Sequence, residues 1–342
     1  MDVRLSDEQR ALRDAAASVV TRLGPGSVAD LDDRTRVERL DAAIAAAGWR
    51  ELRAAEADGS PVASAVEVAL VAEELARGPA DVAYLGPVLA AELRRLAGAP
   101  AATAAETIAL RPDLAELARA GGGATAIDTA GARRVLLVEP DVSDTGQLRV
   151  VALPLAGDAP DAVDLSRKAQ AVDPVDGETE PAGGVTDDAL VRFAALGLAM
   201  TAADLVGAMR GAIDLACGYA ATRRQYDVAV GSFQAVQHLL ADAYVAMEGS
   251  RSAALHAAWA VDALEPGAAL AAAASAKAYC ARAARAACET AIQVHGGIGN
   301  TWECKAHLYL RRALLSSELF GGVGLSLQRV LDHELGAGVG LR

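Results

Sequence analysis

Apolar residues at intervals of three and four run through most of the chain, and the breaks in that rhythm divide it into three parts. Near the start, Leu12, Ala15, Val19 and Leu23 fall on one helical face. Met1 to Arg13 reads as amphipathic helix, and Ser6-Asp7-Glu8-Gln9 has the form of a capped helix start. Gly24-Pro25-Gly26 then stops the helix. The same spacing predicts helices over Arg36–Ala47, Ala63–Arg77 and Leu85–Leu96, parted by turn clusters such as Ala57-Asp58-Gly59-Ser60-Pro61. Between Thr103 and Gly184 the texture changes to short β-prone runs, Val135–Val138 and Leu148–Leu153, set among Gly, Pro and Asp clusters. Gly121-Gly122-Gly123 follows no clear strand and opens no helix, so it reads as a plain turn and not as a phosphate loop. From Asp187 helix returns in four stretches, 187–222, 233–264, 267–296 and 303–335, each long enough for an antiparallel bundle with short loops. The pattern thus predicts a mainly α fold with a small β domain. Its parts are an N-terminal helical domain over 1–102, a reduced middle β domain over 103–186 and a C-terminal four-helix bundle over 187–342.

Composition sharpens this picture. With 342 residues, of which 53% are hydrophobic, the chain can bury a large core, and the dominance of alanine over aromatics (4%) favours helix. Thirty-two basic against 45 acidic residues leave a net charge of −13, with no long basic cluster, which argues against nucleic acid or an anionic membrane as partner. No apolar leader stretch follows a basic one, and the Ala-rich segment 253–276 is broken by His256, Asp262 and Glu265, so a cytoplasmic protein without a membrane span is expected. Cys217, Cys280, Cys288 and Cys304 show no C-x-x-C spacing, and three of them sit in helical pattern as small hydrophobes. No metal-ligand set stands out.

Two segments of the bundle region carry chemistry. The first runs from Arg223-Arg224-Gln225-Tyr226-Asp227 through Phe233-Gln234 to Leu240-Ala241-Asp242; the second is Gln293-Val294-His295-Gly296-Gly297-Ile298-Gly299. Alone, the first is a solvated helix end and the second a helix C-terminal stop. Together and in order they resemble the acyl-CoA dehydrogenase family, with its R-x-x-F-G, F-Q-x-x-q-x-x-L-A-D and Q-x-x-G-G-x-G patterns. Leu5–Gln9, Gly48-Trp49 and Val71–Leu75 are similar to that family too. A planar, permanently charged Arg fork at a helix end suits a pyrophosphate, and paired glycines let backbone amides approach one. The resemblance implies FAD as cofactor, with Arg223, Tyr226, Phe233, Gln234, Gln293, Gly296 and Gly297 on its adenosine-diphosphate half. Tyr226 replaces the usual Phe and Asp227 the usual Gly. His238 and His295 have no triad or metal set around them and receive no role.

Members of that family draw an α proton from an acyl thioester with a carboxylate while a β hydride leaves to the flavin. Setting Arg312-Ala313-Leu314 against the family's R-D-A segment puts Phe320 at its Tyr and Gly321 at its catalytic Glu, with Gly322, Val323 and Leu325 after it. At the alternative helix position for the base stand Gly197 and Leu198. Glu318, the nearest carboxylate, corresponds to an ordinary helix position, so no catalytic residue is assigned. The middle region also lacks the T-E-P-x-x-G-S and W-x-x-G-x-K stretches that hold the flavin ring in relatives. In the family's tetramers one subunit supplies the ring-binding strands and the base, and its neighbour supplies the R-x-x-F and Q-x-x-G-G contacts. The resemblance therefore implies the short, Glu-lacking subunit of an actinobacterial heterotetramer that desaturates an acyl-CoA. A partner subunit would carry the Glu, and an electron-transferring flavoprotein is the family's usual acceptor. A homo-oligomer with an atypical base and a flavin-free structural homologue are the alternatives.

Overall fold

The computed structural model describes residues 4–140, 148–155, 157, 162–172 and 180–336. The segments 141–147 and 173–179 of the expected β domain, and 1–3 and 337–342 of the expected terminal domains, lie outside the described residues.

Helix α1 (Asp7–Leu23) starts where its capping residues dictate, not at the chain start. The Gln9 amide donates to Ser6 Oγ at 3.1 Å and the Ser6 amide to Gln9 Oε1 at 3.1 Å, satisfying two donors that a helix start leaves unpaired. Helices α2 (Arg34–Ala46), α3 (Ala65–Arg77) and α4 (Leu85–Leu96) follow, within two residues of the spans their periodicity predicts. Six strands come next: β1 (Glu106–Leu110), β2 (Ala124–Ile127), β3 (Arg134–Pro140), β4 (Leu148–Pro154), β5 (Ala169–Val172) and β6 (Glu180–Val185). They form one sheet in the order β5-β2-β1-β3-β4-β6, antiparallel except for the parallel β1–β3 pair. Alternation along β3 sends Leu136 and Val138 into the main core, towards the helices, and Val135 and Leu137 into a smaller cluster behind the sheet. Pro181 is tolerated because β6 is an edge strand. Gly121-Gly122-Gly123 forms a turn, as its context predicts.

The C-terminal part is built on α5 (Asp187–Thr222), α6 (Gln234–Ala263) and α7 (Pro266–His295), with α7 packed against α5, α6, α8 (Ala306–Glu318) and α9 (Val323–Glu334). Helix α5 is long and apolar enough to cross a membrane, but 89% of its most apolar stretch is buried inside the molecule. Between α5 and α6 a two-stranded hairpin, β7 (Arg224–Gln225) and β8 (Val228–Ala229), interrupts the helices. Asp204 of α5 is fully buried, and Arg312 of α8 (2.8 Å), Arg167 of the loop before β5 (2.5 Å) and Ser316 (2.7 Å) all donate to it. Burial alone would raise its carboxyl; the two guanidinium groups outweigh that and hold it below the usual range. This network fixes the sheet's loops to the bundle.

One expected helix is two. The stretch 303–335 splits into α8 (Ala306–Glu318) and α9 (Val323–Glu334). The reason is backbone conformation: Phe320 and Gly321 have φ of 63° and 92°, outside the right-handed helical region.

Candidate functional site

The C-terminal ends of α5 and α7 meet around a hollow of about 490 Å³. Helix α5 ends at Arg223, whose amide still donates to Tyr219 O (2.8 Å) while its backbone has turned extended. The chain then reverses through Tyr226 and Asp227, two consecutive non-glycine residues with φ of 52° and 64° at the tip of the β7–β8 hairpin. Arg224 Nη2 donates to Asp227 O at 2.6 Å and closes the tip. The two adjacent arginines are thereby divided. Arg224 is tied into its own loop, whereas Arg223 lines the hollow and its guanidinium makes no bond among the described residues.

Helix α7 ends opposite, at Gly296 (φ 64°, ψ −143°), a conformation that L side chains rarely adopt. A Cβ added at Gly296 or Gly297 would meet nothing within 4 Å, so this loop is open in front of its backbone. Arg223, Phe233, Gln293, Gly296 and Gly297 all line the one hollow. Tyr226 and Gln234 are not among its walls. Tyr226 stands 89% exposed at the hairpin tip with its ring edge-on to Phe233, centroids 6.5 Å apart; Gln234 is the exposed first residue of α6.

Two further wall residues are ones to which the sequence assigns no cofactor role. Tyr219 stacks on His295 with centroids 4.5 Å apart and planes 28° from parallel. The pair joins the last turn of α5 to the last turn of α7. Tyr219 lies one turn before Arg223, and His295 directly before Gly296; only the fold shows that the two meet.

The place where a catalytic carboxylate is expected has a different character. The Phe320 ring lies against Gly197: a Cβ on Gly197 would come within 2.4 Å of Phe320 Cζ. Phe193 packs edge-on to the same ring at 6.1 Å, and the void left beside them is about 30 Å³. At Gly321 a Cβ would lie 2.6 Å from Leu325 Cδ2, besides the positive φ. The turn is fastened from outside: Lys277 Nζ donates to Leu319 O (2.5 Å) and to Thr201 Oγ1 (3.2 Å), and Arg329 Nη1 donates to Phe320 O (2.6 Å). Complete burial pushes the Lys277 ammonium down to about 7, with Glu318 opposing the shift. Glu318 itself is exposed at the end of α8. Both positions aligned with a base thus lack a carboxylate, and at each a Cβ would press on a neighbouring side chain.

The two places differ in kind. An open hollow offers a cation without a partner among the described residues, glycine backbone and aromatic walls, which fits the phosphates and nucleoside of a dinucleotide. The closed turn at Phe320 does not fit a flavin ring and an acyl chain.

Comparison with known proteins identifies the family. Residues 6–99 match the family model described as acyl-CoA dehydrogenase, N-terminal domain, and residues 192–330 the one described as acyl-CoA dehydrogenase, C-terminal domain. The chain is 31% identical to acyl-CoA dehydrogenase IpdE2 of Mycobacterium tuberculosis over 334 residues, covering 92% of this chain and 93% of that protein. Among solved structures, a variant of the steroid ACAD Tcur3481-Tcur3483 superposes with a TM-score of 0.80 at 22% identity, covering 98% of this chain and 99% of that one. The ChsE4-ChsE5 complex from Mycobacterium tuberculosis gives 0.77 at 23%, covering 99% and 100%. With both terminal domains matched and a relative aligned over nearly its whole length, the chain belongs to the acyl-CoA dehydrogenase family.

Proposed function

We propose that this chain is the non-catalytic, cofactor-completing subunit of a heteromeric FAD-dependent acyl-CoA dehydrogenase that desaturates an acyl-CoA thioester between its α and β carbons. The observation that carries this reading is the contrast between the two places. The hollow at Arg223 is open and its guanidinium makes no bond among the described residues, whereas the turn at Phe320 and Gly321 is packed shut. A subunit that ran the reaction itself would need the reverse at the second place.

FAD supplies the hydride acceptor when bound. On this chain, Arg223 would hold the pyrophosphate through a charge-assisted fork, and the Gly296-Gly297 backbone would approach it closely. Phe233 and Gln293 would wall the adenosine. Proton abstraction would belong to the partner subunit's carboxylate.

The test is the visible flavin band at ~450 nm of the purified protein. Flavin recovered only when the chain is co-expressed with a full-length dehydrogenase subunit supports the reading. Full flavin in the chain alone would instead favour a self-sufficient homo-oligomer. No flavin in either preparation would leave a scaffold homologue.

A further inference from the structure

We propose that His295 is a nucleoside-reading residue of the hollow, held in one tautomer and one orientation for that purpose. The inference rests on the hollow being a dinucleotide site, and it adds a contact that the glycine and arginine motifs do not supply. His295 Nδ1 lies 2.7 Å from Ala291 O. A carbonyl only accepts, so Nδ1 carries the proton, and Nε2 of the neutral ring is left as an acceptor. The ring is 6% exposed and stacked on Tyr219, so it cannot swing away to find another partner. Nε2 makes no bond among the described residues, yet it is not among the unpartnered side-chain atoms sealed from solvent. His295 lines the hollow beside Arg223, Gln293 and Gly296, and on this proposal Nε2 is the atom it turns towards it.

An unprotonated imidazole nitrogen repels phosphate oxygens and accepts from hydroxyl or amino groups. In a dinucleotide those donors are the ribose hydroxyls and the adenine amino group, whereas the pyrophosphate is served by Arg223. The division of labour is chemical: a permanent cation for the anion, a fixed acceptor for the sugar or base. Tyr219 acts as a positioning residue. Its stack ties the helix end that carries Arg223 to the helix end that carries His295, and so sets the spacing between the two.

The experiment uses the flavin-depleted complex of the full chain with its co-expressed partner. The probes are ADP, 2′-deoxy-ADP, 3′-deoxy-ADP and inosine diphosphate, each competing with FAD for reloading. Loss of one neutral hydrogen bond weakens one of the three analogues by about three- to tenfold relative to ADP. A weaker deoxy analogue identifies a ribose hydroxyl, and a weaker inosine analogue the adenine amino group. The His295→Phe variant keeps a ring on Tyr219 and is expected to abolish that discrimination, while Tyr219→Phe preserves it. Equal affinity of the wild-type complex for all four probes, or unchanged discrimination in His295→Phe, would overturn the proposal and leave the dinucleotide site standing. A wild-type complex that is reloaded by neither ADP nor FAD would remove the site reading itself.

Discussion

Lys277 is completely buried, and its ammonium group is held by one carbonyl and one hydroxyl. Its folded value of about 7 lies below the ordinary 10.5 of the unfolded chain, so between those limits the unfolded state binds more protons. The destabilisation is full below about 7 and is relieved as pH rises toward 10.5. The unfolding free energy from urea titrations at constant ionic strength is therefore expected to rise across this window, by up to about 1.4 kcal/mol per pH unit from this group. Lys277→Met is expected to flatten the rise. At Arg223 the prediction concerns binding and not folding. Arg223→Ala removes a charge-assisted contact of about 1.5–3 kcal/mol, so the co-expressed complex should bind FAD roughly ten- to hundredfold more weakly. The melting temperature of the chain alone should stay within about a degree, since that guanidinium supports nothing in the fold. Unchanged FAD retention in Arg223→Ala would sink its assignment.

Among the elements, those with strong local signals are legible in the chain's own residues. The Ser6–Gln9 box, the 3.6-residue rhythm of α3 to α7 and the β-branched runs of β3 and β4 each decide their own conformation. Strand β6, with the sequence Glu-Pro-Ala-Gly-Gly-Val, has no strand propensity, and it is ordered by its ladder with β4. The break between α8 and α9 escapes a periodic reading because apolar residues continue through it in register. What fixes the break comes from elsewhere: Gly197 makes room for Phe320, and Lys277 and Arg329 hold the turn's carbonyls. In the candidate site the same division applies. Arg223 and Gln293 to Gly297 are readable as motifs, whereas the Tyr219–His295 stack exists only once two helices have been brought side by side. Backbone conformation has consequences at two of these elements. At the hairpin tip Asp227→Gly relieves one left-handed non-glycine residue and is expected to raise stability by about 1 kcal/mol in chemical denaturation. At the α8–α9 turn Gly321→Glu is expected to lower it by about 2–5 kcal/mol without creating dehydrogenase activity, because strain and overpacking add.

Taken as a whole, the molecule has a buried centre in α5 and leaves apolar side chains outside on the neighbouring helices. Leu239, Tyr244 and Val245 of α6 and Tyr279 of α7 are all exposed. A single chain with such a surface is expected to associate. On the heteromeric reading, Val245→Glu should reduce the amount of partner subunit recovered on co-purification while leaving the chain's own thermal unfolding unchanged. Full recovery would place the contact on another face. The packed turn also sets the terms on which a carboxylate could be introduced beside it. A carboxylate at position 321 meets Leu325 and an unfavourable backbone, one at 197 meets the Phe320 ring, and removing Phe320 first leaves an empty cavity behind. Each single change is uphill, so placing a carboxylate at either position needs a concerted move of several residues at once. On the heteromeric reading, the dependence on a partner would be a one-way ratchet, kept by van der Waals contact as much as by the missing acid.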